Sequence, residues 1–332
     1  MLDFKMGQVL GMMAKTAPFI IFRLVVYFSV MLAYVLSVGV GAGTGYLMGH
    51  IFDNPAGGGG FGGLVGFSAI SIVLYWFREY LLYLVKAGHI AVLVELMDGR
   101  PLPSGKGQIE FAKDKVQERF KEASLLFGID QLIKGVLRAV NRTFFTIASI
   151  LPIPGLEGLV SFLNKILNMS LTYLDEVIIA YNMRIRSENP WQTSRDALVL
   201  YAQNYKVILK NAVFLVVIMY ALTLVLFLIV VGPFLALAGA MPGAVSGWGV
   251  LLALVFAWSL KAALFEPVAM AALMGVFFKV TEGQTPNAEW EAKLAGISTK
   301  FRELTAKATD YAASKPASPV EPSTPDPTPE QA

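Results

Sequence analysis

The chain has no cysteine, which removes disulfides, thiolate metal ligands and cysteine nucleophiles from consideration. It has only two histidines, His50 and His89, too few for a multi-histidine metal centre. Charge is scarce as well: Asp, Glu, Lys and Arg make up 15% of the residues, against about 25% in a soluble domain. No HExxH or GxSxG pattern and no nucleotide-binding loop is present. An enzyme, a cofactor, a bound metal and a nucleic-acid partner are therefore not expected. What fills the space is apolar: 55% of the 332 residues are hydrophobic and the mean hydropathy is +0.59. A chain with so little polar surface has a lipid bilayer as its natural partner.

Four runs approach or exceed the roughly 20 apolar residues that a spanning helix requires. They cover about 19–48, 61–86, 212–231 and 249–278. The first is far longer than a signal-peptide core and reads as an anchor that stays. The third has no charge and runs up to Gly232-Pro233. The stretch "DNPAGGGGFGG" between the first two runs reads as a flexible, turn-rich linker. Lys and Arg are absent from 49–77 and from 211–260, whereas 78–142 holds eleven. By the positive-inside rule both termini and the central region are cytoplasmic, with two short loops outside. A short polytopic chain without cysteine suits a prokaryotic inner membrane.

The central region reads as helical. Ile109, Ala112, Val116 and Phe120 recur at helical spacing, and Ile129, Leu132, Ile133, Val136, Leu137 and Val140 continue on a new phase. In 143–174, Pro152 and Pro154 must interrupt any helix. That stretch is either a re-entrant or interfacial helical hairpin or a pair of true spans. Pro190 and Pro267 mark two further breaks, with Thr193 or Ser194 as the cap after Pro190. Trp290, Leu294, Ile297, Phe301 and Leu304 begin a heptad stripe, with Thr285-Pro286 as its cap and first turn. The stripe packs either on the 109–127 seam or on another subunit or cytoplasmic partner. Residues 315–332 carry six prolines and no core-forming pattern, which is the composition of a disordered tail.

The fold class expected is thus all-α: a polytopic integral membrane protein with about four transmembrane helices, a broken hairpin, cytoplasmic amphipathic helices and a disordered C-terminal tail. Its parts are 1–16 (interfacial), 17–86 (spans one and two), 87–142 (cytoplasmic helices), 143–211 (hairpin and connector), 212–280 (spans three and four), 281–314 (cytoplasmic helix) and 315–332 (tail).

Polar residues inside apolar runs are the candidates for function. Lys261 and Glu266 lie in the fourth run, where a charge at bilayer depth costs at least ~2.5–3.5 kcal/mol. On an α-helix a five-residue separation turns them about 140° apart, so each needs a partner from another helix. They form a working site or a structural pair, or Lys261 snorkels to the inner headgroups. Glu79, set among aromatic residues, is a partner to consider for Lys261. Asp175 and Glu176 sit in the most apolar part of their helix, with at most one facing the core directly. Either they ligate a proton or cation, or they pair with Arg184, Arg186 or Arg195. Gly41, Gly45 and Gly49, at four-residue spacing, mark close helix packing within the bundle or between copies in an oligomer. Two function classes follow: a channel or carrier for an ion or small solute, or a scaffold whose cytoplasmic helices organise lipid or partners.

Overall fold

The computed structural model of the protein describes residues 3–102, 107–120, 123–149, 173–186, 188–239 and 248–314, the side chains of 75–83, 119–120, 123–124, 126, 141, 144–149, 237–238 and 248 excepted. Pro152 and Pro154 with most of their hairpin, the tail at 315–332 and the Glu79 side chain lie outside the described residues. No strand occurs among the described residues. In chain order the helices are α1 (Met6–Lys15), α2 (Ala17–Gly49), α3 (Pro55–Met97), α4 (Gln108–Phe120), α5 (Ala123–Ser149) and α6 (Leu174–Ile185). They continue as α7 (Pro190–Gln203), α8 (Tyr205–Gly239), α9 (Trp248–Leu260), α10 (Glu266–Val280), α11 (Ala288–Ile297) and α12 (Thr299–Ser314).

Four helical stretches, Ala17–Phe52, Pro55–Leu74, Tyr205–Ala236 and Gly249–Val280, are long and apolar enough to cross a membrane, as a multi-pass membrane protein requires. The pattern of exposure on α2 shows how they are used. Phe19, Arg23, Tyr27, Met31, Val38 and Ala42 form a buried stripe at spacings of four and seven. Ile21, Val25, Phe28, Leu32, Leu36 and Val40 point outward and are exposed. An apolar surface this continuous is one that lipid solvates and water does not.

α2 and α3 pack along most of their shared length, and α9 packs on α2 and α8. The glycine-rich stretch read as a flexible linker is helical instead, because α3 begins at Pro55. Pro55 occupies the first turn, where a missing N–H costs nothing, and the Asn54 side chain accepts from Gly57 N at 2.9 Å. The actual connection is the short 3₁₀ turn His50–Phe52, closed by Asp53 in the left-handed region (φ 55°).

α3 has 43 residues. At 1.5 Å per residue it is about 65 Å long, twice the thickness of a hydrocarbon core. Its far end enters a second body, so a division at residue 86 cuts through a continuous helix. There Ile90, Leu93 and Val94 join one core with residues of α5 to α8, α10 and α12. The α5 stripe from Ile129 to Val140 is buried there as its periodicity predicts, and Val9 and Met13 of α1 also reach this core.

Three local expectations are corrected. Asn189, not Thr193 or Ser194, caps α7, accepting from Gln192 N at 3.1 Å. Thr193 and Ser194 are buried inside the helix. Asn287 replaces Thr285-Pro286 as the cap of α11. α8 does not stop at Gly232-Pro233 but runs through Pro233 to Gly239. A proline mid-helix is tolerated in membrane helices, where local adjustments and neighbours re-satisfy the freed backbone groups.

The heptad stripe folds as two helices, α11 and α12, separated at Ser298. Leu294, Phe301 and Leu304 are buried in the main core, Trp290 packs against it, and Ile297 remains exposed. α12 lies on α5 and α7 rather than on the 109–127 seam.

Candidate functional site

The site is built around a defect in the fourth span. Between α9 and α10, residues Lys261–Phe265 form a π-helical turn in which the Glu266 N–H donates to the Lys261 carbonyl, five residues back. In that register the next carbonyl, Ala262 O, would accept from residue 267, and residue 267 is proline. The donor comes from another helix: Arg23 Nη2 of α2 donates to Ala262 O at 2.8 Å. Pro267 thus creates a vacancy that a charged side chain fills. π-turns inside α-helices occur frequently at functional sites.

The wide turn also corrects the geometry expected of Lys261 and Glu266. The wider π-turn brings residues five apart closer to one side of the helix, and the two side chains meet, with Lys261 Nζ 3.3 Å from Glu266 Oε1. Lys261 is 3% exposed and does not snorkel. Its ammonium sits 4.6 Å from the Trp258 ring centre and 5.0 Å from that of Tyr220. Such contacts contribute about 2 kcal/mol when desolvated, which offsets part of the burial cost.

Glu266 is the hub. Its Oε2 lies 3.7 Å from both Arg23 Nη2 and Lys86 Nζ. Lys86, on α3, also donates to Glu176 Oε1 of α6 at 2.9 Å. Asp175, the neighbour of Glu176, lies 3.6 Å from Lys134 of α5, and Lys134 pairs with Asp130 one turn away at 2.7 Å. Four cations (Arg23, Lys86, Lys134, Lys261) therefore meet four carboxylates (Asp130, Asp175, Glu176, Glu266), drawn from α2, α3, α5, α6 and the α9–α10 span. The series begins beside Trp258, within the fourth apolar helical stretch, and ends at Lys134, whose side chain is 37% exposed. Among the described residues the network is incompletely satisfied: Arg23 Nε and Nη1, Asp175 Oδ1 and Glu176 Oε2 are buried and meet no hydrogen-bond partner there.

The pairing of Asp175 and Glu176 with Arg184, Arg186 or Arg195 does not occur, and both carboxylates are buried rather than one. Arg184 binds Asp98 at 2.8 Å, Arg186 binds Glu95, and Arg195 binds Asp196 at 2.9 Å. Arg184 and Arg186 sit at the opposite end of α6, about 12 Å or more along the axis from Glu176 at 1.5 Å per residue. The cations that reach the two acids come from α3 and α5. Burial, reinforced by the neighbouring Glu176 charge, pushes the Asp175 carboxyl well above the usual carboxylate range. Burial alone would raise Glu176 too, but the Lys86 ammonium and the hydrogen bond it donates hold Glu176 below that range.

Arg23, Lys86, Asp130 and Lys134 were not singled out by sequence. Arg23 had a usable signal, since it falls on the four-spaced inward stripe between Phe19 and Tyr27. Lys86 and Lys134 carried none, because each is a basic residue among the many that flank the spans.

Gly41, Gly45 and Gly49 lie where α2 crosses α3. A Cβ on Gly41 or Gly45 would overlap the carbonyl oxygen of Gly62 or Gly58, and one on Gly49 would overlap that of Asn54. The facing ladder is Gly58, Gly62 and Gly66, so the close approach is made within one chain. This crossing holds α2 closely against α3. Comparison with family models, characterised proteins and solved structures finds no match that would assign this arrangement to a known group.

Proposed function

We propose that the protein is a transport protein, a channel or carrier for an ion or small solute, whose polar path runs along the buried charge series from Lys261 to Lys134. The observation that carries this reading is the network itself. Eight ionisable side chains from five helical segments converge where each costs desolvation energy, and among the described residues four of their polar atoms remain without partners. Buried ion pairs are a poor route to stability, since apolar side chains of similar volume often serve as well or better. Charges kept at that cost inside a membrane bundle commonly mark an ion or substrate route. The interrupted fourth span supports the same reading, because broken helices at membrane depth line binding sites in many carriers. On this reading both termini and the α4–α7 body are cytoplasmic, as the distribution of Lys and Arg requires. A scaffold acting through the heptad stripe is less well supported, because Leu294, Phe301 and Leu304 are already buried in the chain's own core.

The test is flux through purified protein in liposomes, read for protons, Na⁺, K⁺ and Cl⁻. Wild type is expected to exceed empty liposomes for at least one of them. Lys261→Met and Glu266→Gln are expected to reduce that flux to background in protein that remains folded. Wild-type flux equal to that of empty liposomes for all four ions, or variants as active as wild type, would overturn the reading.

A further inference from the structure

Asp175 and Glu176 are consecutive residues in the first turn of α6, and both are buried. Consecutive positions in one helical turn make the two buried carboxyl groups neighbours. When both are ionised they repel, and neither can donate to the other. Each also keeps one buried oxygen, Asp175 Oδ1 and Glu176 Oε2, with no donor among the described residues.

The surrounding cations do not serve the two acids equally. Glu176 has Lys86 at 2.9 Å, although Lys86 is also drawn towards Glu266 at 3.7 Å. Asp175 has only Lys134 at 3.6 Å, and Lys134 is engaged more closely by Asp130 at 2.7 Å. Of the four carboxylates in the network, Asp175 is the one left without a close cation of its own. A single proton resolves the conflict. Placed on Asp175, it supplies an O–H that donates to the Glu176 carboxylate, removes the like-charge contact, and leaves the remaining negative charge on the group that Lys86 already binds. This is the arrangement in which two neighbouring carboxyls share one proton because both cannot ionise. Lys134 then keeps Asp130 at 2.7 Å, and the surplus positive charge falls at the Glu266 end, where Arg23, Lys86 and Lys261 share two carboxylates.

We propose that Asp175 and Glu176 form a proton-binding site that holds one shared proton at neutral pH and exchanges it with the cytoplasm by way of Lys134. That this proton is the coupling ion rests on the transport reading; the site itself does not. The groups facing the pair are Lys86 from α3, Asp130 and Lys134 from α5, and Glu266 from α10, with Tyr173 beside it in sequence. The balance of their influence agrees with the geometry: burial and the Glu176 charge raise Asp175, and Lys134 offsets this only in part. Release of the proton leaves two carboxylates and returns the network to four positive and four negative charges.

The experiment is infrared spectroscopy of the full-length protein in lipid nanodiscs near pH 7, exchanged between H₂O and D₂O, with proton flux measured on the same preparations. Wild type is expected to show a protonated-carboxyl C=O band that shifts in D₂O and disappears as pH is raised. Asp175→Asn, which mimics the neutral acid in shape and hydrogen bonding, is expected to fold and to lose the band, whereas Asp130→Asn keeps it. Should Asp175→Asn fail to fold, the wild-type pH titration of the band still decides. Absence of the band in wild type overturns the proposal. So does its survival in Asp175→Asn with loss in Asp130→Asn. A band of the expected behaviour without flux of any ion supports the proton site and overturns the transport reading. Flux without the band does the reverse.

Discussion

Glu266→Gln is expected to lower the stability of the folded protein by about 3–5 kcal/mol, the usual cost of removing one partner from a buried ion pair. The loss is large because Glu266 serves three cations. Lys261 would keep only the Trp258 and Tyr220 rings, Lys86 only Glu176, and Arg23 only the Ala262 carbonyl. Glutamine preserves shape, so any change reports on charge rather than packing. The measurement is thermal or denaturant unfolding in detergent. The double variant Lys261→Met/Glu266→Gln is expected to recover part of the loss, because it removes one of the stranded cations together with the hub. Additive losses, or a Glu266→Gln variant that unfolds like wild type, would show that these groups are not coupled in the folded state.

The second large effect lies at the α2–α3 crossing. A Cβ at Gly62 would overlap the carbonyl oxygen of Gly41 and press on the Cα of Gly45. Both are backbone atoms in a helix, so no flexible side chain can yield and the helices must separate along their length. Gly62→Val is expected to cost about 1–3 kcal/mol or more, the range for overpacking a closely fitted contact. Gly43 and Gly60 are the controls, because a Cβ at either meets nothing within 4 Å. Gly43→Ala and Gly60→Ala are expected to be neutral or to gain up to about 1 kcal/mol from the better helix propensity of alanine. Equal stability of Gly62→Val and Gly43→Ala would remove the crossing from the account.

The spans and the amphipathic helices were legible because each is set by a property that survives in one dimension. Bilayer thickness fixes the length of an apolar run, and 3.6-residue periodicity fixes a buried face. The α5 stripe at Ile129, Leu132, Ile133, Val136, Leu137 and Val140 is buried in full for that reason. The misreadings share a different cause. Glycine at 58 and 62 has poor helix propensity alone, and it becomes the right residue only when the glycines of the first span face it at backbone distance. The 140° separation of Lys261 and Glu266 assumed α-geometry, which the π-turn before Pro267 replaces. Asp175 and Glu176 were matched to the nearest arginines in sequence, whereas their cations arrive from 41 or more residues away in the chain, since Lys134 and Lys86 are the partners. Lys86, one of the eleven basic residues of 78–142, counts towards orientation in the sequence and not towards the site, because a basic residue near a span end has the same appearance in either role. The charged interior is a tertiary property: its members were visible singly, and the folding of five helical segments is what brings them together.

The absence of cysteine from the chain makes one measurement unusually direct. Lys261→Cys places a single thiol at the membrane-level end of the charge series, in protein reconstituted into liposomes with a measurable flux. The account predicts that this substitution abolishes flux, that a small cationic thiol reagent added from the aqueous phase reacts there, and that the restored positive charge brings flux back, while a neutral reagent of the same size does not. A thiol that never reacts while the protein is folded and transporting, or flux that persists unchanged in Lys261→Cys, would show that Lys261 is not on the path.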